Sequence, residues 1–168
     1  MQNRGQITGS VADVCSDPDF AGPDFSAANK VCLFVLDTNI VLDAWVFNDP
    51  AAQPLKLALA SKRIRWLATP AMRAELARVL TYPKILARLA FYKLGVEQVL
   101  AQFDGQAQMV DVASKANITC RDPDDQKFID LAVVHKATLL SKDRAVLCMK
   151  KRLCALGVRA QIAIDFAP

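Results

Sequence analysis

The feature that most constrains the fold is an apolar run, residues 31–36, that ends abruptly in three polar side chains, Asp37, Thr38 and Asn39. A short, continuous apolar run is typical of a strand that is buried on both faces of a parallel sheet. Ligands of open α/β sheets bind at the carboxyl ends of such strands. The run therefore predicts a first strand, with Asp37 at the sheet edge where a functional site forms.

Apolar runs of strand length alternate with amphipathic segments along the remaining sequence. The segments between the runs show the apolar spacing of helices that pack on a sheet. One helix is predicted to begin at Thr69, a capping residue followed by proline, and another, at 145–156, to be closed by Gly157. The pattern predicts an α/β protein, a three-layer α/β/α sandwich with a parallel central sheet of about five strands. After the first strand, the others are predicted at 64–68, 109–112, 138–141 and 158–164.

Charge and periodicity divide the sequence into two regions. Residues 1–30 show neither helical nor alternating periodicity and hold four Asp against one Arg and one Lys, so a flexible N-terminal extension is expected there. Residues 31–168 are predicted to form one domain, and they carry a net charge of +6 while the whole chain carries +4. A basic domain attracts polyanions without specifying which one. A solvated surface explains the same charge equally well.

Cysteine usage and hydropathy point to the cytoplasm. The five cysteines are odd in number and have no C-x-x-C spacing, so buried or incidental thiols are expected rather than a disulfide framework. No secretory start is recognisable, and no apolar run approaches the roughly 18 residues of a membrane span. We therefore expect a cytoplasmic protein that does not enter a membrane.

Four acidic residues lie at the mouths of successive strand-to-helix units: Asp37, Glu75, Asp125 and Asp143. An α/β sheet would bring these side chains to one edge. Hard divalent cations prefer oxygen ligands, and carboxylates gathered without a cation would repel one another. The sequence therefore predicts a divalent-metal site.

Several of these acidic residues also have an ordinary structural explanation. Glu75 could solvate a helix flank and pair with Arg73 or Arg78. Asp122 is placed to cap a helix, and Asp143 could be a turn residue or a cap. The combination of positions therefore carries more information than any single residue.

The combined pattern resembles the PIN domain family. The order and spacing of its motifs match over roughly residues 31–165, and the resemblance is strongest towards bacterial PIN proteins described as toxins of toxin-antitoxin pairs, the group that includes VapC-type ribonucleases. The motifs are residues 36–42 (LDTNIVL), 74–80 (AELARVL), 122–132 (DPDDQKFIDLA) and 140–143 (LSKD).

The resemblance implies a parallel sheet flanked by helices and acidic residues that hold Mg²⁺ or Mn²⁺ for RNA cleavage. Where the family often continues its Asp-Pro-Asp-Asp run with another acid, this sequence has Gln126, which leaves the choice of the third acid open. Carried over by position, the metal-binding and catalytic residues are Asp37, Glu75, Asp125 and Asp143, the supporting polar residues are Thr38, Asn39 and Ser141, and the secondary candidates are Asp122 and Asp124.

The function that this resemblance implies is metal-dependent endoribonucleolytic hydrolysis of RNA phosphodiester bonds, in a toxin held inactive by an antitoxin protein. A homodimer is also expected, and whether one or two ions act stays open. Basic residues could guide the RNA backbone; they are Arg73, Arg78, Lys142, Arg144 and the run at 150–152.

Two other functions compete with the ribonuclease. A noncatalytic PIN-like RNA-binding or interaction module would keep the fold without the reaction. An aspartyl-nucleophile phosphohydrolase would also place Asp37 after its first strand. Such enzymes normally carry a second Asp two positions later, where this sequence has Asn39.

Overall fold

The computed structural model describes residues 31–164, so the predicted extension at 1–30 and the last four residues lie outside the described part. Within that part, no helix is long and apolar enough to cross a membrane. The strands are β1 (Cys32–Leu36), β2 (Ile64–Ala68), β3 (Ala107–Met109), β4 (Thr138–Leu140) and β5 (Ala160–Gln161). The helices are α1 (Thr38–Trp45), α2 (Gln53–Ala60), α3 (Pro70–Leu80), α4 (Pro83–Phe91), α5 (Val96–Gln106), α6 (Gln126–His135), α7 (Arg144–Leu147) and α8 (Lys150–Ala155).

The five strands form one parallel sheet in the order β3-β2-β1-β4-β5. The chain builds outward from β1 to β3 on one side, and then crosses back to β4 and β5 on the other. Right-handed crossovers therefore place α1 to α5 on one face of the sheet and α6 to α8 on the opposite face. The predicted three-layer α/β/α fold with five parallel strands is confirmed. The order reverses between β1 and β4, and this reversal point is where α/β sheets bind ligands.

Apolar residues of β1 and α6 pack together in the core. The last three residues of β1, Phe34, Val35 and Leu36, are at most 5% exposed. From α6, Phe128 and Ile129 are at most 1% exposed. Each such side chain contributes about 1.5–3 kcal/mol through burial. The carboxyl end of β1 is thus held between two apolar layers, and it positions the residues that follow.

Local capping signals in the sequence act as predicted. Thr69 is the N-cap of α3, where its hydroxyl accepts the N–H of Met72 at 3.4 Å, and Pro70 occupies the first helical position. Gly157 follows α8 with φ of 75°, a left-handed conformation that glycine adopts without a steric penalty. These positions need only local sequence to specify them.

Three elements differ from the prediction. β3 begins at Ala107, two residues before the predicted start, and it ends at Met109 because its partner β2 ends at Ala68, which is opposite it in the register. β5 is restricted to Ala160–Gln161 because it pairs only with the last two residues of the short strand β4. The helix predicted at 145–156 is divided into α7 and α8, since the chain tightens where the Met149 N–H donates three residues back to Val146. Pairing partners, rather than local propensity, limit these strands.

An aromatic stack joins α1, β2 and α5. Trp66 is 1% exposed, stacks on Trp45 with ring centroids 5.4 Å apart, and meets Phe103 edge-to-face at 4.7 Å. The Trp66 indole N–H is buried and has no hydrogen-bond partner among the described residues. Such a donor costs about 1–3 kcal/mol. The residue stabilises the fold through its rings and not through its polar atom.

We expect Trp66→Ala to lower the free energy of unfolding by about 3–5 kcal/mol, since it leaves a large cavity. Trp66→Phe should cost less than half as much, because an aromatic ring remains and the unpaired N–H is removed. Urea unfolding followed by far-ultraviolet circular dichroism measures both. Equal losses in the two variants would contradict this account of the stack.

Candidate functional site

The candidate site is built around Asp37 and Ser141, which follow the neighbouring strands β1 and β4. The register pairs Leu36 with Leu140, so the next residue of each strand emerges at the same point of the sheet edge. The Asp37 N–H donates to the Leu140 carbonyl at 2.9 Å, and Ser141 Oγ donates to Asp37 Oδ2 at 2.5 Å. Asn39 Nδ2 donates to the same oxygen at 2.8 Å. The sheet and its first helix thus fix the Asp37 carboxylate.

Asp37 is 5% exposed, and opposing effects act on its charge. Burial raises the pKa of its carboxyl most, and the nearby Glu75 raises it further. The hydrogen bond from Ser141 and main-chain bonds at Asn39 and Thr38 lower the pKa. The effect of burial exceeds that of the hydrogen bonds, so the pKa of Asp37 lies above its ordinary value. A cation beside this carboxylate would be favoured.

Glu75 reaches the site from α3. Thr38 Oγ1 donates to Glu75 Oε1 at 3.0 Å, and the Lys127 ammonium contacts Glu75 Oε2. The alternative pairing expected with Arg73 or Arg78 is not formed. Arg73 instead makes a two-point ion pair with Asp104, and the donor–acceptor distances are 2.6 and 2.7 Å. Glu75 therefore faces Thr38 and not the outer flank of its helix.

Asp125 is the least satisfied of the four acids. Its side chain is 9% exposed, and its Oδ2 atom is buried without a hydrogen-bond partner among the described residues. Burial, followed by the charges of Asp37, Asp143 and Asp122, raises the pKa of Asp125 to about 7, while Lys127 acts in the opposite direction. Helix capping does not explain this carboxylate, since its side chain makes no cap hydrogen bond to α6.

The other Asp residues have local roles. Asp143 is half-buried, and its Oδ1 accepts the N–H of Ala145 at 2.6 Å as the cap of α7, yet its charge still acts on Asp125. Asp122 is exposed and accepts the N–H of Asp124 at 2.9 Å. Asp124 is exposed as well. Of the two secondary candidates, Asp122 contributes to the raised pKa of Asp125.

Gln126 braces the loop before α6. Its Oε1 accepts the N–H of Cys120 at 2.7 Å, and its Nε2 donates to the Ile118 carbonyl at 3.1 Å and to Asp130 Oδ1 at 2.6 Å. An amide so engaged does not compete with Asp125 for the site. Asp125 therefore stays the predicted third acid, and Gln126 has a structural role in the loop.

The chemistry of this donor set suits a hard divalent cation. All four candidate ligands are carboxylates, and the orphaned oxygen of Asp125 lacks a positive partner of its own. As arranged among residues 31–164, however, no group of three or more His, Cys, Asp or Glu side chains could hold a metal ion. Joint ligation by three of these acids therefore requires their side chains to converge further.

Two features of the site were not predicted from the sequence. Lys127 pairs with Glu75 from 52 positions away, and its only sequence signal is a lone positive charge two residues after Asp125. Lys142 had been a candidate phosphate guide, but its ammonium lies 2.6 Å from Asp43 and 3.2 Å from Asp49. Its charge is therefore already neutralised within the protein.

We expect Asp125→Asn to raise the melting temperature of the metal-free protein at pH 8, since it removes a buried negative charge. An Asp whose pKa is higher in the folded state destabilises the fold as pH rises from its unfolded value, near 3.8, through about 7. The gain should therefore shrink to less than half at pH 5, where only the interval above the unfolded value still contributes. Thermal unfolding in EDTA at both pH values measures it, with the exposed Asp111→Asn as a control. A gain of the same size at both pH values would contradict the assignment.

The comparison with known families covers the sequence range of the four acids. A model of the PIN domain matches residues 34–145, which include Asp37, Glu75, Asp125 and Asp143. No curated protein matches the sequence. Among solved structures, the fold is similar to a chain in the crystal structure of VapBC2 from Rickettsia felis bound to a DNA fragment from their promoter. The TM-score is 0.51 at 18% identity, over 76% of this chain and 98% of that chain. Because the family model spans more than half of the 168 residues, the chain belongs to the PIN domain family.

Proposed function

We propose that this chain is a metal-dependent endoribonuclease that hydrolyses RNA phosphodiester bonds, and that it is the toxin of a toxin-antitoxin pair. The observation that carries the proposal is the buried, unpartnered oxygen of Asp125 among the charges of Asp37 and Asp143. Such a carboxylate is unfavourable unless a proton or a cation neutralises it. A divalent cation satisfies this need and also serves phosphodiester hydrolysis.

Family membership supports the enzyme class. PIN domains are typically nucleases, and PIN nucleases generally use divalent metals. The acids that would hold Mg²⁺ or Mn²⁺ are Asp37, Glu75, Asp125 and Asp143. Bound by these residues, the ion would supply charge stabilisation at the phosphate and an activated water.

The chain's own residues prepare the site before any substrate arrives. Ser141 and Asn39 hold the Asp37 carboxylate in one orientation, and Thr38 does the same for Glu75. Because Asp37 is buried, its interactions with charged groups are stronger than they would be in bulk water. Groups that are already oriented need little reorganisation when charge develops at the phosphate.

In the absence of a bound metal ion, Lys127 supplies a positive charge next to the acids. Among the described residues, it is the one cation that forms an ion pair with any of the four acids. It contacts Glu75 and lowers the pKa of Asp125. A metal ion at Glu75 would therefore compete with the Lys127 ammonium for the same oxygen.

The toxin role rests on the shared fold. The similar solved chain belongs to a VapBC2 complex. For the present chain we propose an antitoxin partner that blocks the acidic edge, a homodimeric assembly, and action on RNA in the cytoplasm.

The competing functions have less support. The aspartyl-nucleophile phosphohydrolase needs a general acid at position 39, and the Asn39 amide instead donates to Asp37. A noncatalytic RNA-binding module would not need the burial and the charge repulsion that raise the pKa of Asp125. Loss of Mn²⁺ binding in titration calorimetry would favour that module.

We expect Asp37→Asn to lower RNA cleavage by on the order of 100-fold or more, because metal contacts stabilise the transition state by several kcal/mol. Asn can still accept the hydrogen bonds from Ser141 and Asn39, so the fold should persist. The measurement is cleavage of a mixed RNA panel with Mg²⁺ or Mn²⁺, and with EDTA. Attack by water rather than by the RNA 2′-hydroxyl predicts products with 5′-phosphate and 3′-hydroxyl ends.

The exposed Asp111→Asn serves as the matched control and should cleave at the rate of the unchanged chain. Cleavage by Asp37→Asn at that same rate would refute the proposed site. Cleavage by the unchanged chain that persists in EDTA would refute metal dependence. Faster turnover of a small phosphate ester than of RNA would restore the phosphohydrolase.

A further inference from the structure

Aromatic and basic side chains share the outer surface of α4. The α4 surface consists of Lys84, Arg88, Phe91 and Tyr92. Phe91 is 74% exposed, and Tyr82 and Tyr92 are 45% and 41% exposed. The rings of Phe91 and Tyr92 meet edge-to-face with centroids 5.0 Å apart. Single exposed apolar residues are ordinary, but every exposed aromatic side chain among residues 31–164 lies between positions 82 and 92, in α4 or directly beside it.

Helical spacing explains why these groups share a face. Lys84, Arg88 and Phe91 follow at i, i+4 and i+7, which places them in one row along α4. On the other side of the helix, Leu89 is 2% exposed and Ile85 packs against the core. The core therefore fixes the helix by its inner side and holds the outer row in solvent.

All charged residues in and around α4 are basic. Residues 76–96 contain four basic residues and no acidic residue. Neither Lys84 nor Arg88 forms an ion pair with a described residue. In contrast to Arg73 and Lys142, these cations remain available to an external anion.

We propose that the α4 surface binds single-stranded RNA and leads it to the acidic edge, with a base stacked on Phe91 and phosphates contacted by Lys84 and Arg88. The inference deepens the proposed ribonuclease function and rests on it. Aromatic rings beside cations bind single strands because every base has a π-face and every linkage a negative charge. Arg78 would extend the positive charge of the α4 surface towards the acidic edge. It is exposed, and it follows Glu75 by three residues on α3.

The charge pattern favours RNA over a second copy of this chain. In a two-fold contact through the same surface, the four basic residues of 76–96 in one copy would face the same four residues of the other copy, with no acidic partner. A strand of RNA supplies the negative charge that this surface lacks. It also has planar bases that match the exposed rings of Phe91 and Tyr92.

The test measures RNA binding separately from cleavage. The full chain with Asp37→Asn is titrated into fluorescently labelled single-stranded RNA of about 16 nucleotides, a length that spans a typical single-strand site. Adding Phe91→Ala should weaken binding by about 10-fold, as expected for loss of one stacked base. Lys84→Ala together with Arg88→Ala should reduce the slope of log K against log salt by about 1.4, or about 0.7 for each phosphate.

Two further variants at Phe91 separate stacking from apolar contact. Phe91→Trp should bind as well as the parent, whereas Phe91→Leu should lose as much affinity as Phe91→Ala because leucine has no π-face. Leu57→Ala, which removes an apolar side chain that is 64% exposed on α2, should bind as the parent does. Melting temperatures should be unchanged throughout, since Phe91 has little buried contact to lose.

Three results would overturn the inference. One is RNA binding by Phe91→Ala within twofold of the parent. Another is full binding by Phe91→Leu, which points to an apolar protein contact. The third is conversion of a dimer to a monomer by Phe91→Ala with RNA affinity unchanged, which assigns the surface to a second copy. If the unchanged chain fails to cut RNA but Phe91→Ala still weakens binding, the α4 surface stands and the ribonuclease proposal falls.

Discussion

The pairing of β1 with β4 is the constraint on which the rest of the site depends. This pairing brings Asp37 and Ser141 to the same point, because each residue directly follows its strand at the place where the sheet order reverses. The apolar layers on both sides of β1 bury the Asp37 carboxylate and raise its pKa. The stability of the sheet and the burial of Asp37 therefore have the same origin, since the buried end of β1 leads directly into this acid.

Gathering buried acids in the site costs free energy, which packing elsewhere in the fold must offset. Among the described residues, Asp125 has a buried oxygen without a hydrogen-bond partner, and the negative charges of Asp37 and Asp143 disfavour its ionised form. Apolar burial in α6, which follows Asp125 directly, supplies the compensating free energy. Strained or unsatisfied groups persist only where the surrounding structure holds them in place. In this chain the unsatisfied group directly precedes a helix with a buried apolar face.

Much of the fold was predictable from local sequence, and much of the site was not. β1, the start of α3 and the turn at Gly157 follow from apolar runs, caps and proline positions. The ends of β3 and β5 depend on how far β2 and β4 extend, which local propensity does not report. Asp37, Glu75, Asp125 and Asp143 were identified by position and by family resemblance.

The environment of the four acids depends on contacts between residues that are far apart in sequence. The ion pair between Lys127 and Glu75, and the two acids that hold Lys142, are set by side-chain placement across the completed fold. Gln126 differs, because its partners Cys120 and Ile118 are close in sequence, but its hydrogen bonds form only when the loop folds back on the start of α6. A sequence pattern can name the acids, but it does not reveal which cations and amides surround them.

The aromatic stack gives the molecule a built-in optical reporter. The chain has only two tryptophans, and both lie in that stack, Trp45 at the last residue of α1 and Trp66 in β2. Ultraviolet emission excited through indole therefore originates from one place. Because α1 begins immediately after Asp37, a shift of that helix would alter the overlap of the two indoles and change the emitted light without any attached dye.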